Sequence, residues 1–148
     1  MEENQELVKI RAEYLDENTS EMVGESFWAH PLGDALYEIR NIVMFAPGLS
    51  VLDIVRCEEI EGLKPKVLEV VKASGYRTIG IIFREDRGAT EEQFIDVMWE
   101  LRQKQVTSEK ASRLNFAFAV PPETDYQEIA DYLRNQEEQE ILYFYELT

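Results

Sequence analysis

The hydrophobic period of this chain changes once, near Gly75, and that change restricts the fold more than any other feature. Before it, apolar residues recur at every second position in short runs, the spacing of half-buried strands. After it, two segments repeat with the period of a helix. A chain written this way closes a small sheet early and lays helices over a second sheet late.

The first half reads as strands and turns. Val8, Ile10, Ala12 and Tyr14 alternate with Lys9, Arg11 and Glu13, which predicts a strand over 7–15. Residues 16–24 are polar and read as a loop. Short strands are expected at 25–30, 35–40, 51–58 and 67–72, separated by turn signals at Pro31-Leu-Gly33-Asp34, Pro47-Gly48, and Gly62 with Pro65. Closely spaced short strands suit a small barrel or a strongly bent sheet.

In the second half, Thr-Ile-Gly-Ile-Ile-Phe at 78–83 is apolar on both faces, as a covered central strand would be. Thr90 then opens a helix, with Gln93 completing a capping box and Glu91 and Glu92 at the positive end of the helix dipole. Phe94, Val97, Met98 and Leu101 form its buried stripe. Residues 115–120 alternate Phe116, Phe118 and Val120 with Ala117 and Ala119, which predicts a second central strand whose small residues face something close. Pro121-Pro122 ends it. A second helix is expected from Thr124 or Asp125, with Gln127 or Glu128 as box partner and Tyr126, Ile129, Ala130 and Leu133 inside. Residues 141–147 read as the last strand, with a short extra one near 106–108. The expected class is α+β. A barrel-like or bent antiparallel sheet over 1–75 is followed by a ferredoxin-like βαββαβ half over 76–148, as two halves or as one compact domain.

Function classes narrow by composition. Thirty acidic side chains against fifteen basic ones give a formal charge of −15. Nucleic acids and anionic lipids are held by cationic side chains, so neither is an expected partner, whereas a basic protein is. Acidity that merely keeps a small protein dispersed accounts for the same number. Cys57 is the only cysteine, so no internal disulfide can form, in keeping with a cytoplasmic location. The N-terminus reads Met-Glu-Glu-Asn-Gln-Glu, without the basic and apolar stretches of a signal peptide, and no apolar run is long enough for a membrane helix.

Catalytic patterns are not found. His30, in Phe27-Trp28-Ala29-His30-Pro31, is the only histidine; a general base is conceivable, but no nucleophile motif accompanies it, and a hydrogen-bonded structural role at a strand end is expected. One His and one Cys cannot close a zinc site, and Gly75, Gly80 and Gly88 match no phosphate-binding glycine pattern. The short acidic run at 57–62 lacks the length of a calcium loop. No cofactor or metal is therefore expected, and the protein is expected not to be an enzyme.

Carboxylates do cluster. From Glu123 onward there are eight acids and one base, Arg134. The candidate partner-binding residues are Asp131, Glu137, Glu138 and Glu140 there, with Glu58, Glu59 and Glu61 second; Glu85, Asp86, Glu91 and Glu92 form a third group. For each group taken singly, a solvated face is the plainer explanation. Trp28 and Trp99 are expected in the core, and Tyr143-Phe144-Tyr145 alternates so as to leave one tyrosine outside.

Several short motifs occur in a fixed order: Glu25-Ser-Phe-Trp28-Ala-His-Pro31-Leu-Gly33, Asn41-Ile42, Phe45-Ala-Pro-Gly48-Leu49-Ser50, Asp53-Ile-Val55, Ser74-Gly75-Tyr76-Arg77-Thr78, and Ala119-Val120-Pro121-Pro122-Glu-Thr-Asp125-Tyr126. Together they resemble the bacterial family catalogued as domain of unknown function 4265, over about residues 20–147. The resemblance implies no reaction, cofactor or catalytic residue. Because small families of this kind turn up as immunity proteins beside polymorphic toxins, it favours an immunity-type inhibitor that binds and neutralises a basic toxin domain, such as a nuclease or nucleic-acid-modifying toxin, through an acidic surface. A small regulatory or ligand-sensing module is the alternative, and an uncharacterised enzyme a third.

Overall fold

Five strands precede Gly75 and close on themselves: β1 (Val8–Asp16), β2 (Glu21–Gly33), β3 (Leu36–Ile39), β4 (Ile54–Glu58) and β5 (Lys66–Lys72). They belong to a computed structural model that describes residues 6–148 in two units, one ending at Ser74 and the other spanning Gly75–Thr148. Neighbours in the barrel are antiparallel until β1 meets β5 in parallel, where Arg11 lies beside Lys66 and donates its backbone N–H to the Pro65 carbonyl at 2.8 Å. The long strand β2 serves two partners. Up to Ala29 it pairs with β1, and from Ala29 onward with β3. Pro31 has no N–H to give that ladder, and the register slips between Pro31 and Gly33.

Alternation along these strands points Ile10, Ala12, Phe27, Ala29, Tyr37, Ile39, Val55 and Cys57 inward. Val43, Ala46 and Leu49 join this core from the loop after β3. The β1–β2 hairpin reaches further than the sequence suggests, because the residues expected to form a loop at 16–24 pair Asp16 with Glu21 and Tyr14 with Val23. The run at 16–21 is polar and Glu21, Met22 and Gly24 are exposed, so composition conceals the strand. Strand β4 begins later than expected, at Ile54, because Leu52 sits at φ 70° and Asp53 closes a turn onto Ser50.

The second unit runs β6 (Arg77–Phe83), α1 (Glu91–Gln103), β7 (Thr107–Lys110), β8 (Asn115–Val120), α2 (Tyr126–Glu138) and β9 (Leu142–Glu146). Its sheet has the order β7-β8-β6-β9, all antiparallel, the expected ferredoxin-like βαββαβ arrangement. Ile79 and Ile81 of β6 and Phe118 of β8 share a core with Val97 and Leu101 of α1 and Ile129 and Leu133 of α2. Each such burial contributes roughly 1.5–3 kcal/mol. On the opposite face Tyr145 lies across Gly80, where a Cβ would collide with the phenol ring, and donates its hydroxyl to Asn115 at 3.0 Å.

Both helix starts follow from capping. The Thr90 hydroxyl accepts the Gln93 N–H at 3.2 Å while Gln93 Oε1 accepts the Thr90 N–H at 2.8 Å. Asp125 accepts the Glu128 N–H at 3.3 Å. The tryptophans are the clearest departure from the expected core: Trp28 is 42% exposed and Trp99 60%. Lys9 covers the Trp28 ring on the outside of the barrel, and Trp99 borders a cleft.

Candidate functional site

Helix α1 carries more apolar surface than its sheet can cover. Phe94, Val97, Met98 and Leu101 pack inward, but Ile95 and Trp99 lie on the adjoining flank, 62% and 60% exposed, with Glu91 and Arg102 on the same side. Between that flank and the β7–β8 hairpin lies a half-open cleft of about 600 Å³. Its walls are aromatic: the Phe83 ring stacks on Phe94 with centroids 4.1 Å apart and meets Phe116 edge-on at 5.9 Å. Strand β7, exposed throughout, is the edge of the sheet beside it. Its volume falls within the range of roughly 300–1,000 Å³ common to small-molecule clefts.

Polar groups mark the rim. Arg113 holds both oxygens of Glu85, at 2.6 and 3.1 Å, and this pairing keeps the Glu85 carboxyl below the usual carboxylate range. Glu91 also acts on Arg113. The Arg102 guanidinium has no ion-pair or hydrogen-bond partner among the described residues, although its backbone carbonyl accepts the Gln105 N–H at 3.0 Å. Nothing in the cleft has the paired acid and base of a hydrolytic site. No group of three or more His, Cys, Asp or Glu side chains is placed to hold a metal ion among the described residues.

The acidic residues singled out by sequence fall on both units. On α2 and just beyond it, Asp131 accepts from Gln127 at 2.8 Å and stands 3.9 Å from Arg134. Glu137 accepts the Phe144 backbone N–H at 3.1 Å, and Glu140 pairs with Arg87 at 3.8 Å. In the barrel unit, Glu58 faces Lys66 at 3.7 Å and Glu59 accepts the Tyr37 hydroxyl. Glu138 and Glu61 have no such partner among the described residues. Of the third group, Glu85 and Asp86 are engaged by Arg113 and Arg84. Near Glu58 the barrel has a recess of about 530 Å³ where Glu13 and Glu58 mix with Arg11, Lys64 and Lys66.

His30 lies within β2 opposite Glu38 rather than at a strand end. Its Nδ1 is buried without a hydrogen-bond partner among the described residues, contrary to the expected hydrogen-bonded role. Burial, reinforced by Glu59, pushes the Cys57 thiol up to about 12, so it is no nucleophile at neutral pH.

A family described as Domain of unknown function (DUF4265) matches residues 25–144. The chain belongs to this family. No curated protein matches the chain. A solved structure described as the novel crystal structure of a hypothetical protein from Neisseria gonorrhoeae is similar at a TM-score of 0.84 and 23% identity, over 98% of this chain and 96% of that one. At that identity the likeness concerns the fold.

The residues that carry the DUF4265 resemblance act here as fastenings. Glu25 accepts the backbone N–H groups of Met44, Phe45 and Ala46 at 2.7, 3.0 and 2.9 Å. Asn41 accepts the Trp28 N–H at 2.6 Å, and Asp53 those of Ser50 and Ser74 at 2.9 and 2.8 Å. Gly75, at φ 93°, sits where a Cβ would press on Pro122 at 3.1 Å, and Asp125 caps α2. The cleft residues Ile95, Trp99 and Arg102 lie outside those motifs. One signal could have found them: apolar Ile95 and Trp99, four apart, widen the α1 stripe beyond what one sheet needs.

Proposed function

We propose that this DUF4265 protein is a small ligand-binding regulatory module whose working surface is the cleft between α1 and the β7–β8 hairpin. The observation that carries this reading is an apolar, aromatic-walled cavity of about 600 Å³ with an exposed tryptophan at its mouth. An exposed Trp and Ile on one helix flank are costly to leave in water and are suited to a bound apolar body. The test is a thermal-shift screen of small amphipathic metabolites against the chain and its Trp99→Ala variant. A ligand at 100 times its Kd stabilises by about 2.7 kcal/mol. The reading requires hits that raise Tm for the parent chain and lose that effect in the variant. A flat screen, or hits indifferent to Trp99, contradicts it.

A second reading, an immunity-type inhibitor for a basic toxin domain, is favoured by Glu138 and by the charge imbalance from Glu123 onward. Opposite charge would steer encounter and make association fall with added salt. Because Glu137 holds the Phe144 backbone, the informative variant is Asp131→Lys with Glu138→Lys, which leaves that contact alone. Slower, less salt-sensitive association by this variant supports the reading; unchanged association contradicts it.

A further inference from the structure

We infer that the cleft takes an amphipathic monocarboxylate, with its apolar body against Phe83, Phe94 and Phe116 and its carboxylate on Arg102, an inference that rests on the ligand-binding reading above. The chain has nine arginines. Eight make an ion pair: Arg11, Arg40, Arg56, Arg77, Arg84, Arg87, Arg113 and Arg134. Arg102 is the exception among the described residues, and it lines the cleft. In a protein with two carboxylates for every basic group, a guanidinium left without a carboxylate beside an apolar wall is suited to one brought by a ligand. A guanidinium fork matches a carboxylate's two oxygens in one plane, which an ammonium ion cannot do.

The opposite rim fits the same orientation. There Arg113 already has both Glu85 oxygens, and Glu91 adds a further negative charge. An anionic head is therefore drawn to the Arg102 end and turned away from the Glu91 end. The protein's formal −15 does not forbid an anion at this spot. At 0.15 M salt the screening length is about 8 Å, so the head group responds mainly to the charge it touches. The stacked phenylalanine walls accept an aliphatic or an aromatic body, and the acid head is common to both.

The experiment follows Trp99 emission in the full chain carrying Trp28→Phe, so that one indole reports. The probes are decanoate, 2-naphthoate, decanol and decyltrimethylammonium, each below its micellar range. Decanoate or 2-naphthoate should shift the emission with a Kd about tenfold below that of decanol, decyltrimethylammonium should give no response, and which acid binds tighter tells an aliphatic from an aromatic ligand. Arg102→Met should weaken acid binding about tenfold, and Arg102→Lys should restore part of it, as expected for one charged contact. Decanol binding as tightly as decanoate, or an unaffected Arg102→Met, overturns the carboxylate and leaves the cleft. Silence from the acids and the alcohol overturns both. A concentration-dependent dimer broken by Trp99→Glu, in a chain indifferent to the acids, assigns the cleft to a second copy and overturns the inference.

Discussion

Glu25 gives one carboxylate to three consecutive backbone N–H groups, from Met44, Phe45 and Ala46, in a loop that has no strand to pair with. Hydrogen bonds to a charged acceptor are stronger than neutral ones, and removing the acceptor leaves donors unmet. Glu25→Ala should cost about 3 kcal/mol in urea unfolding, and Glu25→Gln about 1 kcal/mol. A cost within about 0.5 kcal/mol for the alanine would show that water serves the loop as well. Two residues inside the barrel contribute to its loss of stability at alkaline pH. Burial pushes both the Tyr37 hydroxyl and the Cys57 thiol up to about 12, each helped by Glu59. Both are raised in the folded state, so the stability they contribute is complete below their unfolded values, near 9 and 10, and is lost as pH climbs towards 12. The urea midpoint should fall across that window. Cys57 should react with a thiol reagent at pH 8 only as fast as the protein unfolds; rapid labelling of the native chain would contradict its burial.

Among the elements, α1 is the one that both fold and site depend on. Its capping box satisfies two backbone donors, and Thr90→Ala should lower stability by about 1 kcal/mol in thermal unfolding while leaving Trp99 emission unchanged. An unchanged Tm would mean that packing alone fixes the start of the helix. The helices, the capping residues, β8 and the βαββαβ order were legible because each follows from local chemistry: a Thr and Gln three apart, a Pro-Pro stop, strict alternation. The barrel strands were legible as elements, but their lengths were not. The tip of the β1–β2 hairpin at 16–21 is polar, and β2 opens with only Met22 and Val23 before Gly24, too short an apolar run to signal a strand. The tryptophans misled because size suggests burial, whereas Trp28 lies under Lys9 outside the barrel and Trp99 belongs to a flank that the sheet leaves open. The acidic clusters were legible as charge only. Which carboxylate holds a backbone N–H, as Glu137 does, depends on the return of β9 past the end of α2.

At the scale of the molecule, a barrel unit and a ferredoxin-like unit share one chain, and the similarity to the Neisseria gonorrhoeae structure covers both. No helix among the described residues is long and apolar enough to cross a membrane. Eight arginines are each matched to a carboxylate, and the charge of −15 is the excess of acids that such pairing cannot offset. What local pairing does not explain is the open flank of α1 and the guanidinium at its end. The most direct measurement is the map of amide chemical shifts in the isotope-labelled full chain as decanoate is added. Perturbation confined to Phe83, to residues 91–106 and to the β7–β8 hairpin is the predicted result; shifts scattered over the barrel, or none at all, would contradict it.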